Sequence, residues 1–75
     1  MAGMADDARP IRQRLADNVR HLRDERGWSQ EQLAALARLH HNHISAIERC
    51  KLSVGVDVIE KLALTFGIPA GDLLN

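Results

Sequence analysis

The stretch WSQEQLAALARLHHNHISAIERCK, residues 28–51, decides how this chain folds. Ser29 is a good helix N-cap, and Gln32 three residues on completes a capping-box pattern, in which each side chain holds the other residue's backbone N–H. Leu33, Ala34, Leu36 and Ala37 then give a helix over about 30–38 its apolar side. After Leu39 a second helix is expected to start near His40 or His41. Its apolar residues, Ile44 and Ile47, stand three apart and share a face. His41, Asn42, Ser45 and Ala46 fall on the opposite face, which is small and polar.

A capped helix, a tight turn and a helix with isoleucines inward and polar groups outward are the parts of a helix-turn-helix. The residues also carry a resemblance. SQEQLA at 29–34, followed by L-x-x-x-x-I-S-x-I-E-R at 39–49, resembles the DNA-binding domain of the lambda repressor/Cro/Xre family. The likeness runs from about Ile11 to Leu74. Its most specific parts are Ser29-Gln30, Ile44-x-x-Ile47-Glu48 and Leu62-Ala63-x-x-Phe66-Gly67-Ile68. The run LHHNHISAIER is similar to that of restriction–modification controller proteins. The resemblance implies an all-α, five-helix lambda-repressor-like bundle that binds specific double-stranded DNA as a transcriptional regulator.

Working outward, 75 residues allow one domain with a modest core, and 45% apolar residues are enough to fill it. With one Phe, one Trp and no Tyr, that core must be mostly aliphatic. The formal net charge of zero excludes a generic polycation that coats nucleic acid, so DNA binding must rest on a local arrangement of charge. Residues 1–56 hold nine of the ten Lys and Arg, and three of the four His lie at 40–43; residues 57–75 hold one Lys against three acids. One Cys excludes an internal disulfide and suits a reducing, cytoplasmic setting. No apolar run approaches the ~20 residues of a membrane span, and no secretion signal is visible.

In chain order, residues 1–9 are small and polar and are expected to form a flexible arm, with a single domain over 10–75. Pro10 suits the first turn of a helix. Ile11, Leu15, Val19 and Leu22 form one stripe of that helix, leaving Arg12, Arg14, Arg20 and Arg26 to a solvated face, and Gly27 is its stop. Trp28 is expected to seal the first two helices. The loop CKLSVGV at 50–56 leads to a fourth helix with Val58, Ile59, Leu62, Ala63 and Phe66 inward, ended by Gly67. Asp57 in its first turn suits the helix dipole. Residues 70–74 can make one last short turn.

What the resemblance implies about roles is specific. His41, Asn42, Ser45 and Ala46 stand where base edges are read: Asn can bond adenine bidentately, Ser can donate or accept, Ala can pack on a thymine methyl and His can donate to guanine. Gln30, His40, His43, Arg49 and Lys51 are the expected phosphate contacts, with Gln30 also bracing the recognition helix. Arg23 and Glu48 are expected to form a structural ion pair. Phe66, Ile68, Leu73 and Leu74 are the expected dimer interface on a pseudo-palindromic site, with burial of Leu73 or Leu74 in the monomer core as the alternative. The sequence departs from the family pattern at Arg38 and Cys50, where Gly is usual, and at Leu52-Ser53, where polar or basic residues are frequent. A left-handed backbone at Cys50 would cost roughly 1 kcal/mol.

His40, His41 and His43 with Cys50 could be read as zinc ligands, but consecutive histidines at a helix start point apart and there is no paired Cys spacing, so no metal is expected. Those histidines are instead expected to make DNA affinity rise as pH falls. Nothing marks a nucleophile elbow or a phosphate loop, so no enzyme, cofactor or small-molecule substrate is expected. The rival reading is a protein-binding adaptor or antitoxin module of the same fold that reads little or no DNA.

Overall fold

A computed structural model describes residues 9–75; all but the last residue of the expected N-terminal arm lies outside them. Four α-helices follow one another: α1 (Ile11–Glu25), α2 (Gln30–Ala37), α3 (His41–Glu48) and α4 (Val56–Phe66), with a 3-10 helix at Ala70–Leu74. No strand occurs among the described residues.

Each boundary has a local cause. Pro10 is the N-cap of α1, one residue before the first turn, and its carbonyl accepts from Gln13 and Arg14. Gly27 ends that helix in the left-handed region at φ 68°. At α2 the capping box is complete: Gln32 N–H donates to Ser29 Oγ at 3.0 Å, and Ser29 N–H donates to Gln32 Oε1 at 2.7 Å. Arg38 closes α2 at φ 59° and Cys50 follows α3 at φ 57°, so both positions that glycine usually fills take the left-handed conformation with a side chain attached. The turn is kept and its strain accepted.

The chain ends in a 3-10 turn, not in a fifth α-helix. Five residues that include Gly71 can close too few i→i−4 bonds to meet the cost of nucleating an α-helix, and the tighter i→i−3 turn forms instead. Asn18 of α1 holds it: Nδ2 donates to the carbonyls of Leu73 and Asn75, each at 2.9 Å.

The core takes residues from every element. Leu15 and Val19 of α1, Leu33 of α2, Ile44 and Ile47 of α3, Leu62 and Phe66 of α4, and Leu73 are all buried. Burying each such side chain contributes roughly 1.5–3 kcal/mol. Trp28 closes one side by stacking on Phe66, with centroids 5.9 Å apart. Arg26 lies over both rings and donates to the Phe66 carbonyl at 2.6 Å, satisfying the end of α4. What the sequence suggests is a solvated arginine is therefore a tie between α1 and α4.

Candidate nucleic-acid interface

The interface is built on α3, and its orientation follows from two side chains. Ile44 and Ile47 are fully inside the core, with 0% and 2% exposure, so the other side of the helix must face out. His41 and Asn42 are exposed there, and Ser45 and Ala46 are half-buried. The helix begins at His40, whose Nδ1 accepts the Asn42 backbone N–H at 3.1 Å, and whose carbonyl accepts from His43 and Ile44. The His40 ring stacks on that of His41 at 5.6 Å.

The far end of α3 is held by charge. Glu48 is the only buried charged or polar residue among those described, at 5% exposure. Arg23 meets it bidentately, Nε to Oε2 at 2.7 Å and Nη2 to Oε1 at 3.1 Å, and gives its remaining Nη1 to the Trp28 carbonyl at 2.8 Å. The hydrogen bond to Glu48 raises the Arg23 pKa above its ordinary value, with desolvation opposing. Gln30 Nε2 donates to Glu48 Oε1 at 3.2 Å, tying the start of α2 to the end of α3. Arg20 adds a third support that sequence reasoning missed: Nη2 donates to the Glu48 backbone carbonyl at 2.5 Å. The available signal was its spacing, three residues before Arg23 and so on the same side of α1. α1 and α2 thus converge on the end of α3, two side chains on the Glu48 carboxylate and one on its backbone carbonyl.

Around this helix, Arg49 and Lys51 are exposed just beyond its end, His40 is exposed at its start and His43 is half-buried. The Cys50 thiol donates to the Arg12 carbonyl of α1 at 3.3 Å. Among the described residues no group of three or more His, Cys, Asp or Glu side chains converges. Of the residues expected at an interface between copies, Phe66 and Leu73 are buried in the protomer's own core at 4% and 0% exposure. Trp28 covers Phe66, and Asn18 draws the 3-10 helix onto α1, which seats Leu73 inward. Ile68 and Leu74 are half-buried, while Leu64 on the outer side of α4 is 75% exposed.

A capped helix, a left-handed turn and a second helix whose amino end faces solvent, all on one apolar core, define an all-α helix-turn-helix protein. Residues 19–73 match the helix-turn-helix family. A hypothetical transcription factor of Neisseria meningitidis serogroup B is 40% identical over 68 residues, which cover 91% of this chain and 64% of that protein. The control protein C.BamHI of Bacillus amyloliquefaciens is 39% identical over 66 residues, covering 87% of this chain and 82% of its own length. Among solved structures, the Neisseria factor NHTF superposes with a TM-score of 0.87 at 39% identity, covering 92% of this chain and 79% of that one. The restriction-modification controller protein C.AhdI of Aeromonas hydrophila does so at 0.78 and 32%, covering 83% and 94%. The chain spans less than two thirds of the first Neisseria protein's length. This chain belongs to the helix-turn-helix family of the lambda repressor/Xre type, alongside transcription factors and restriction–modification controllers.

No helix of the described residues is long and apolar enough to cross a membrane.

Proposed function

We propose that this chain is a transcriptional regulator that reads a specific double-stranded DNA site with the amino end of α3. The observation that carries this reading is the pairing of burial and exposure on one short helix: Ile44 and Ile47 lie inside the core while His41 and Asn42 face solvent. A helix so placed can enter a major groove, where Asn42, Ser45, His41 and Ala46 would meet base edges. Each good base contact contributes on the order of 1–3 kcal/mol of discrimination.

In this reading Gln30, Arg49 and Lys51 hold backbone phosphates, with His40 and His43 beside them. Gln30 spends one amide proton on Glu48, and its second remains for a phosphate. Of these only Arg49 and Lys51 are fixed cations, so a protomer should show log affinity falling against log salt with a slope of about −2. A module of this size makes few contacts, so two copies would bind the two halves of a pseudo-palindrome. We place the contact between copies on the apolar surface left open near the chain's end, Ile68 and Leu74 with Leu64 of α4.

A gel-shift titration against the gene's own upstream region and against unrelated duplex, at two salt concentrations, tests the reading. Salt-sensitive binding that prefers the upstream region supports it. The neutral net charge favours one rival, a protein-binding adaptor on the same fold. Absence of salt-sensitive binding to every duplex would support that adaptor.

A further inference from the structure

We propose that the His40 imidazole is the positioning group that fixes the amino end of α3 for reading, and that it does so only in its neutral form. This rests on the DNA-reading role proposed for α3. The first N–H groups of any helix lack partners within it, and Ser, Thr, Asp or Asn usually supplies one. Here a histidine does. Its side chain takes the Asn42 N–H through Nδ1 at 3.1 Å, while its carbonyl takes those of His43 and Ile44 at 2.9 and 3.3 Å. Residue 40 therefore anchors three consecutive donors, and one of them belongs to the asparagine best suited to read adenine.

The chemistry of the ring follows from that contact. A nitrogen that accepts a hydrogen bond carries no proton, so the neutral imidazole holds its proton on Nε2. Protonating Nδ1 turns the acceptor into a donor and sets N–H against N–H, which opens the cap. A positive ring at a helix amino end also opposes the helix dipole. Along the chain, the ionisable side chains within three residues of His40 are Arg38 in the preceding turn and His41 and His43 on α3, all cationic or able to become so. The His41 ring stacks on it with centroids 5.6 Å apart. No described carboxylate lies within ion-pair reach of His40. Serine, threonine, aspartate or asparagine would cap the helix here without this sensitivity. His40 thus couples the register of the reading residues to the protonation of its own ring. It works against any gain in affinity from His41 and His43 becoming cationic.

The test compares wild type with His40→Asn, which caps without titrating, and His40→Ala, which does not cap. DNA affinity is measured for all three at about pH 8 and about pH 5.5 at fixed ionic strength. At the higher pH, H40A should bind about fivefold more weakly than H40N, because only the asparagine still caps the helix. At the lower pH, wild type should fall below H40N towards H40A. Wild type gaining on H40N in acid would overturn the proposal, since His40 would then act as a cationic phosphate contact. So would H40A matching H40N at the higher pH. Exchange of the Asn42 amide with solvent in the DNA-free proteins, each referred to H40N at the same pH, separates this from the DNA reading. Faster exchange in H40A, and in wild type only in acid, supports the cap even if no duplex binds; equal exchange in all three overturns it.

Discussion

Arg38 and Cys50 sit in left-handed backbone at φ 59° and 57°, where a Cβ costs roughly 1–2 kcal/mol. Both flank α3, so the turns that set its direction are strained at either end. Arg38→Gly should raise stability by about 1 kcal/mol, partly offset by the greater freedom of glycine in the unfolded chain, and shift the thermal midpoint up by several degrees. Cys50→Gly should gain less, because it gives up the thiol's bond to Arg12. Glu48→Ala should cost about 3–5 kcal/mol by leaving Arg23 without its partner in a site where the arginine side chain is 15% exposed. Urea titration reads both effects. The Arg23 pKa is raised in the fold, so the stabilisation it gives is complete below the arginine range and is lost only as pH rises through that raised value. Neutral and mildly alkaline buffers should therefore leave the pair intact. The Ser29–Gln32 box and the opposed faces of α3 were legible because each depends on residues three or four apart. The roles of Arg20, Arg26 and His40 were not, because each side chain bonds a backbone atom, and the sequence does not mark which carbonyl or N–H lacks a partner.

Among the elements, the clearest departure from a reading by pattern is the tail. Leu73 and Leu74 are two adjacent apolar residues just before Asn75, and periodicity cannot say which turns inward. Asn18 decides it by gathering the carbonyls of Leu73 and Asn75 across α1. Asn18→Ala should free this segment at a cost of about 1 kcal/mol, since the released carbonyls can turn to water. Hydrogen exchange should show the loss at residues 70–75, with the amides of α2 and α3 unchanged. Equal loss across the whole chain would mean the tail is part of the folding core itself.

For the whole molecule, a zero net charge leaves no general attraction to DNA, so function must come from where a few charges and one exposed helix end are placed. In the proposed two-copy reading the contact falls on Ile68, Leu74 and Leu64, since Phe66 and Leu73 are buried in the protomer. Leu64→Lys should then weaken self-association in sedimentation experiments while leaving the monomer's unfolding midpoint nearly unchanged, because the side chain is 75% exposed in the protomer. Sedimentation unchanged by this substitution would move the contact elsewhere. The measurement that bears most directly on the DNA-reading claim is a map of backbone amide shifts as the upstream duplex is titrated into labelled protein. The largest changes should fall at His41, Asn42, Ser45 and Ala46, with smaller ones at Gln30, Arg49 and Lys51. Changes centred on the outer side of α4, with the start of α3 unmoved, would contradict it.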